Sequence, residues 1–164
     1  MLYKESESIK TSRKQIAKII INNKEKLKDS VWLNFGCGKY SDLTYNLLNG
    51  FHYDPFLTNV NNYNFNDINK IPCKRFDYVV CANVLNVLQD DSLLNTLLTL
   101  ESLNTDSYLI SIYEGDKTGN GKITKHGTYQ RNDKTINYLT TIENVFTDYV
   151  INIKSNEIYI TKQK

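Results

Sequence analysis

Short apolar runs that alternate with helical stripes constrain this chain more than any other feature. "VWLNF" at 31–35 is a β-type run that stops against glycine, and "SDLTYNLLNG" then opens on a cap-type serine and closes on Gly50, as a short helix does. "GFHYDPF" gives a second strand that must end by Asp54, because Pro55 has no amide hydrogen to offer a ladder. "NNYNFNDINKIP" predicts a third short strand around Tyr63–Phe65. "RFDYVVCANVLNVL" holds an unbroken apolar run from Tyr78 to Ala82, the pattern of a parallel strand covered on both faces, which places it at the sheet centre. "DDSLLNTLLTLESLN" returns to helical spacing with acids in its first turn, where they complement the helix dipole, and "SYLISIYEG" supplies a fifth strand. The tail "DYVINIKSNEIYITK" alternates on both sides of Ser155 and Asn156, the pattern of a β-hairpin. Together these segments predict a three-layer α/β fold, its sheet mostly parallel and closed by an antiparallel C-terminal hairpin.

A chain of 164 residues is long enough for one core and too short for a separate substrate domain. The expected division is an N-terminal helical segment over 1–29, a core over 30–113, a polar loop over 114–132, and a C-terminal helix and hairpin over 133–164. Ile9, Ile16, Ile19, Ile20 and Leu27 recur at helical spacing among lysines, which predicts an amphipathic helix packed beside the first strand. "DKTGNGKITKHGTYQRN" is too irregular for a helix and reads as a functional loop. A formal charge of +2 lacks the basic surplus of a dedicated nucleic-acid binder, so charge does not indicate a nucleic-acid partner and does not exclude one. Cys37, Cys73 and Cys81 lack metal-site spacing and are expected as reduced, inert thiols; with no apolar membrane span or signal-peptide core, a cytoplasmic location is expected.

Gly36 and Gly38 sit at the junction of the first strand and its helix. Glycine there lets a ligand approach the backbone and leaves amide donors at a helix start, although packing alone also produces such turns. Asp54 follows 18 residues after Gly36, where nucleotide-binding α/β folds place an acid against ribose hydroxyls; a turn-capping role before Pro55 is the competing reading. The glycine turn, Asp54, Asp67 and Asn83 all map to the carboxyl ends of strands, where open α/β sheets bind ligands.

In the series "LNFGCGKYSD", "GFHYDPF", "FNDI" and "FDYVVCANVLNVL" the chain resembles the class I S-adenosylmethionine-dependent methyltransferases over about 30–113. Through "SRK", "YDPF", "CANVLNVL", "YEGD" and "GNGKITKHGTYQRN" it resembles, more narrowly, the small methyltransferases of bacteriophages and of DNA phosphorothioation loci. The resemblance implies a Rossmann-like methyltransferase fold with S-adenosylmethionine as cofactor. Gly36 and Gly38 would line its methionine part, Asp54 would hold the ribose, and Asp67 would accept from the adenine amino group with Ile68 beside it. Pro55 or Phe56 would cover the adenine face, Asn83 would border the methyl group, and Arg13 would reach the carboxylate. Two departures stand out. Asn34 replaces the usual acid and accepts from the cofactor ammonium without the strengthening charge, and Tyr40 stands where a third glycine is common.

Methyl transfer from a sulfonium needs alignment and exclusion of water, with no metal. Glu114, His126 and Tyr129, in or beside the polar loop, are the candidates for a base, with solvated loop residues as the plainer reading. "GTYQRN" suits a loop that folds over substrate or one that braces itself. The Asn-Pro-Pro-Tyr type signature of base amino methyltransferases is absent, which lowers the standing of DNA base methylation. His52, Trp32 and the leucine stripe are expected as core. Two other functions fit the same residues: a catalytically silent S-adenosylmethionine-binding or regulatory module, and a nicotinamide-dependent oxidoreductase in which Ser41 takes the third glycine position. The sequence names neither the methyl acceptor nor the oligomeric state.

Overall fold

The computed structural model describes residues 14–164. Among the described residues, nine strands and five α-helices follow one another. The N-terminal amphipathic stretch forms two short helices, α1 (Lys18–Asn22) and α2 (Lys24–Leu27), and not one. The break falls at Asn23, whose side-chain amide donates to the carbonyl of Ile19 at 2.8 Å and closes the first helix. Ile9 and Arg13 lie outside the described residues.

Strand β1 (Trp32–Phe35) leads through a 3₁₀ turn over Gly38–Tyr40 into α3 (Ser41–Leu48), and β2 (Phe51–Tyr53) and β3 (Asn64–Phe65) follow. Beyond these come β4 (Tyr78–Ala82), α4 (Asp90–Glu101) and β5 (Ser107–Ser111). A small hairpin of β6 (Lys122–Ile123) and β7 (Tyr129–Gln130) interrupts the region read from sequence as irregular loop. Helix α5 (Leu139–Val145) then precedes the terminal hairpin of β8 (Tyr149–Lys154) and β9 (Glu157–Lys162).

The main sheet has the order β3-β2-β1-β4-β5-β9-β8. The first five strands are parallel, and β9 pairs antiparallel with both β5 and β8. Tyr78–Ala82 is therefore the central strand, between β1 and β5. Alternation along the strands separates two cores. Leu33, Phe35, Val79 and Cys81 face α4 and α5 through Leu93, Leu97, Leu100 and Ile142. Trp32, Val80 and Leu109 face the N-terminal helices and α3 through Ile19, Ile20, Leu27 and Leu48. Burying each such leucine contributes about 1.5–3 kcal/mol over leaving it in water, so the stripe at Leu93, Leu97 and Leu100 suffices to orient α4. That packing turns the polar flank of α4 toward the carboxyl rim of the sheet.

Candidate active site

The chain turns sharply where β1 ends. Gly36 and Gly38 take φ of 73° and 66°, and the amides of Gly36 and Cys37 both donate to the carbonyl of Tyr53, at 2.7 and 3.0 Å. A Cβ on Gly36 would lie 2.4 Å from Cγ2 of Val84, so this glycine is required by a packed side chain from beyond β4 as well as by its φ. The carboxylate of Asp54 is fully buried. Its Oδ2 accepts from the amide of Gly38 at 3.0 Å, and its Oδ1 from the amide of Phe56 at 3.0 Å. The turn-capping reading of Asp54 thus describes its bonds, and the acid that was to meet a ribose on an open rim is instead enclosed. The chain after β2 curls back over the carboxylate, which a pattern of residue types does not reveal.

Asn34 is also diverted. It is buried on the Trp32 side of the sheet, with its amide nitrogen 3.3 Å from Nδ1 of His52. Nε2 of His52 lies 3.0 Å from the carbonyl of Asn49. A proton on Nε2 satisfies that carbonyl and leaves Nδ1 to accept from Asn34, so the imidazole is neutral; burial pushes its pKa down to about 4. His52 also meets Trp32 edge-on at 5.6 Å. The structural reading of His52 fits this geometry, and the cofactor-ammonium role expected of Asn34 does not.

Asp67 and Ile68 likewise stand apart from the main cleft. Asp67 Oδ1 accepts from the amide of Asn69 at 3.0 Å and caps the 3₁₀ turn Ile68–Lys70. Ile68 borders a separate hollow of about 250 Å³ with Ile71, Phe76 and Leu103. Because the turn starts directly after Asp67, the carboxylate serves its own backbone.

A cleft of about 1340 Å³ opens along the carboxyl rim. Gly36, Gly38, Tyr53, Pro55 and Phe56 line one end, Asn83 and Val84 the middle, and α4 with the β6–β7 hairpin the other end. Phe56 is 42% exposed there. Asn83 holds φ of 57°, a conformation that asparagine tolerates better than most residues, while its amide donates to the carbonyl of Ser111 at 2.9 Å. Among the described residues no group of three His, Cys, Asp or Glu is arranged to hold a metal ion.

Of the proposed bases, His126 and Tyr129 line the cleft and Glu114 does not. Glu114 Oε1 accepts from the amide of Thr135 at 2.8 Å, and its other oxygen pairs with Lys117 at 3.2 Å. The Thr135 amide, with help from Lys117, holds its carboxyl below the usual range. Asp116 does line the cleft but is paired with Lys122, whose hydrogen bond is the main cause of a pKa near 2. Neither acid is suited to take a proton near neutral pH.

The sequence reading overlooked Asn86, Tyr113 and Val84. Tyr113 N donates to Asn86 Oδ1, Asn86 Nδ2 donates to Gln130 Oε1, and Gln130 Nε2 donates to the carbonyl of Tyr113, each at 3.2 Å. Arg131 extends this brace, donating to the carbonyl of Leu88 and to Asp90, each at 2.9 Å. Gln130 and Arg131 of "GTYQRN" thus brace the loop, as do Thr128 with Thr124 and Asn132 with Asn120. No signal in the sequence pairs Asn86 with Gln130.

No family model matches the sequence, and neither does any curated protein. Solved structures match the fold. The chain is similar to the Burkholderia thailandensis 1,6-didemethyltoxoflavin-N1-methyltransferase, with bound 1,6-didemethyltoxoflavin and S-adenosylhomocysteine, at a TM-score of 0.66 and 13% identity over 90% of this chain and 80% of that one. An S-adenosylmethionine-dependent methyltransferase from Mesorhizobium loti gives a TM-score of 0.52 at 8% identity, covering 89% and 98% of the two chains. Human N-acetylserotonin methyltransferase in complex with SAM gives 0.53 at 12% identity, covering 90% and 53%. The architecture is the Rossmann-like fold of the class I methyltransferases, with an antiparallel hairpin at one edge of the sheet.

Proposed function

We propose that the protein transfers a methyl group from S-adenosylmethionine to an acceptor held between α4 and the 114–132 loop. The observation that carries this reading is the cleft itself. It lies at the carboxyl rim of a methyltransferase-type sheet, with a glycine turn at one end and a braced loop at the other.

The residues fit the cofactor unevenly. The glycine turn, Tyr53, Pro55 and the exposed ring of Phe56 offer an apolar wall and close backbone approach to an adenosine, whereas among the described residues no acidic side chain lines that end to meet an ammonium group. S-adenosylmethionine supplies an electrophilic methyl group when bound. Gly36 and Gly38 would flank its methionine part, and Phe56 or Pro55 its base. Asp54 would keep the turn in shape, and the second acceptor site on its oxygens would meet the ribose once the chain that buries it moves aside. Asn83 would border the reacting carbon, and His126 and Tyr129 would receive or relay a proton from the acceptor. Asp67 would accept from the adenine amino group through the oxygen that does not cap its own turn, with Ile68 beside it.

The silent binding module is the second reading, favoured by the loss of both Glu114 and Asp116 to ion pairs. The narrower kinship with small phage and phosphorothioation-associated methyltransferases belongs to the proposal too and rests on the quoted motifs.

Calorimetric titration with S-adenosylhomocysteine and with NAD tests the cofactor reading. Binding of the adenosyl compound with no NAD heat is the expected result. NAD binding alone would install the oxidoreductase in its place. Adenosyl binding without label transfer to nucleic-acid, protein or metabolite fractions would favour the silent module.

A further inference from the structure

We infer that the acceptor end of the cleft is a stacking site for a planar aromatic group, with the ring of Tyr113 as its platform; the inference rests on the cofactor reading above. Tyr113 stands just beyond β5 and is 59% exposed while lining the cleft. An exposed aromatic ring is unremarkable when its backbone is loose, because it then sweeps through solvent. Here the backbone is held on both sides. The amide and carbonyl of Tyr113 are consecutive members of the closed hydrogen-bond ring through Asn86 and Gln130. Asn86 is 2% exposed and Gln130 9%, so water competes weakly for these bonds. A ring of three amides also satisfies every member at once, which a single contact does not.

The remaining surfaces agree with a flat guest that carries no positive charge, since Lys125 lines the cleft as well. Ile123 and Tyr129 are directly opposed across the β6–β7 pair and line the same cleft. On the facing wall, α4 contributes Ser92 and Thr96, neutral groups that can hydrogen-bond to a ring edge. The cleft's carboxylate, Asp116, is matched by Lys122. Among the described residues that line the cleft, a saturated ammonium-bearing acceptor would find no unmatched acid to hold it or to deprotonate it. A heteroaromatic acceptor needs neither. Its lone pair forms the new bond to the methyl carbon, and the carbon–sulfur bond breaks with its electrons left on sulfur. Any proton on the acceptor atom passes to His126 or water.

The test uses the full chain saturated with S-adenosylhomocysteine, so that the adenosine end is filled, and titrates in quinoline as the planar probe and decahydroquinoline as its saturated counterpart. Binding is followed by NMR of labelled tyrosine rings. Quinoline should shift the Tyr113 resonance and bind about tenfold or more weakly to Tyr113→Ala, the range set by loss of one stacking ring, while Tyr113→Phe stays near wild type. Gln130→Ala should weaken quinoline without weakening S-adenosylhomocysteine. Equal quinoline affinity in wild type and Tyr113→Ala overturns the platform, as does equal binding of decahydroquinoline or no quinoline binding to the S-adenosylhomocysteine complex. Failure of S-adenosylhomocysteine itself to bind overturns the cofactor reading, and the stacking site falls with it.

Discussion

The two ends of the cleft are built in opposite ways. At the glycine end, the polar side chains are buried and bonded to backbone or to each other: Asp54 to the amides of Gly38 and Phe56, Asn34 to the His52 ring, His52 to the Asn49 carbonyl. At the loop end, Lys122 and Asp116 form an exposed ion pair and Lys117 reaches a partly buried Glu114 from solvent, beside the enclosed amide ring. Buried polar bonds cost a large desolvation penalty when broken, and exposed pairs cost little. The glycine end should therefore report mutations as lost stability, and the loop end as altered local order and ligand contact.

The largest expected effect is at Asp54. Asp54→Ala leaves the buried amide of Gly38 and the part-buried amide of Phe56 without their acceptor, which should cost about 2–4 kcal/mol in urea unfolding, together with adenosyl affinity. An unchanged urea midpoint would show that the carboxylate is dispensable to the turn and would return it to a purely ligand-facing role.

His52 sharpens the contrast through pH. Its folded pKa of about 4 lies below the unfolded value of about 6.5, so the unfolded chain binds the extra proton first. The stability it contributes is complete above about pH 6.5 and is lost as pH falls toward 4, with a slope of up to about 1.4 kcal/mol per pH unit. His52→Gln should flatten that slope between pH 6.5 and 4.5, as read from denaturation midpoints. Retention of the full slope would assign it to other groups.

Gln130→Ala strands Asn86 Nδ2 and the Tyr113 carbonyl and should cost about 1–3 kcal/mol globally. Amide exchange over 114–132 should nevertheless quicken while exchange over β1 and β4 does not. Uniform quickening would make the loop and the sheet one cooperative unit and dissolve the distinction between the two ends.

Lys122→Ala is the smallest. With its main partner gone, the carboxyl of Asp116 should titrate closer to the ordinary range by NMR, with the thermal midpoint unmoved. A lowered midpoint would show that the loop depends on this pair for its shape.

Much of the sheet was legible because its signals are local. The unbroken run Tyr78–Ala82 could only be a covered parallel strand, and the alternation on either side of Ser155 fixed a hairpin in which Ser155 takes φ of 57°. The two-residue strands β6 and β7 were not legible, since too few residues alternate to distinguish them from turn. The candidate site was legible as a neighbourhood and not as a set of contacts. Gly36, Gly38, Pro55, Phe56, Asn83, His126 and Tyr129 do line the cleft, whereas Asn34, Asp54, Asp67, Ile68 and Glu114 do not. Each of the polar residues in that second group had the right chemistry in the right segment, and each is bonded to a neighbouring group instead.

Sequence alone determined which segments become the strands of the main sheet, their crossing through helices and the rim on which a ligand would sit, because hydrophobic period and glycine or proline breaks act within a few residues. Only the tertiary structure decided which carboxylates remain available and which ring faces the cleft. That outcome depends on partners brought together across long stretches of chain, such as Asn86 with Gln130 and Val84 with Gly36, and no local pattern encodes such meetings.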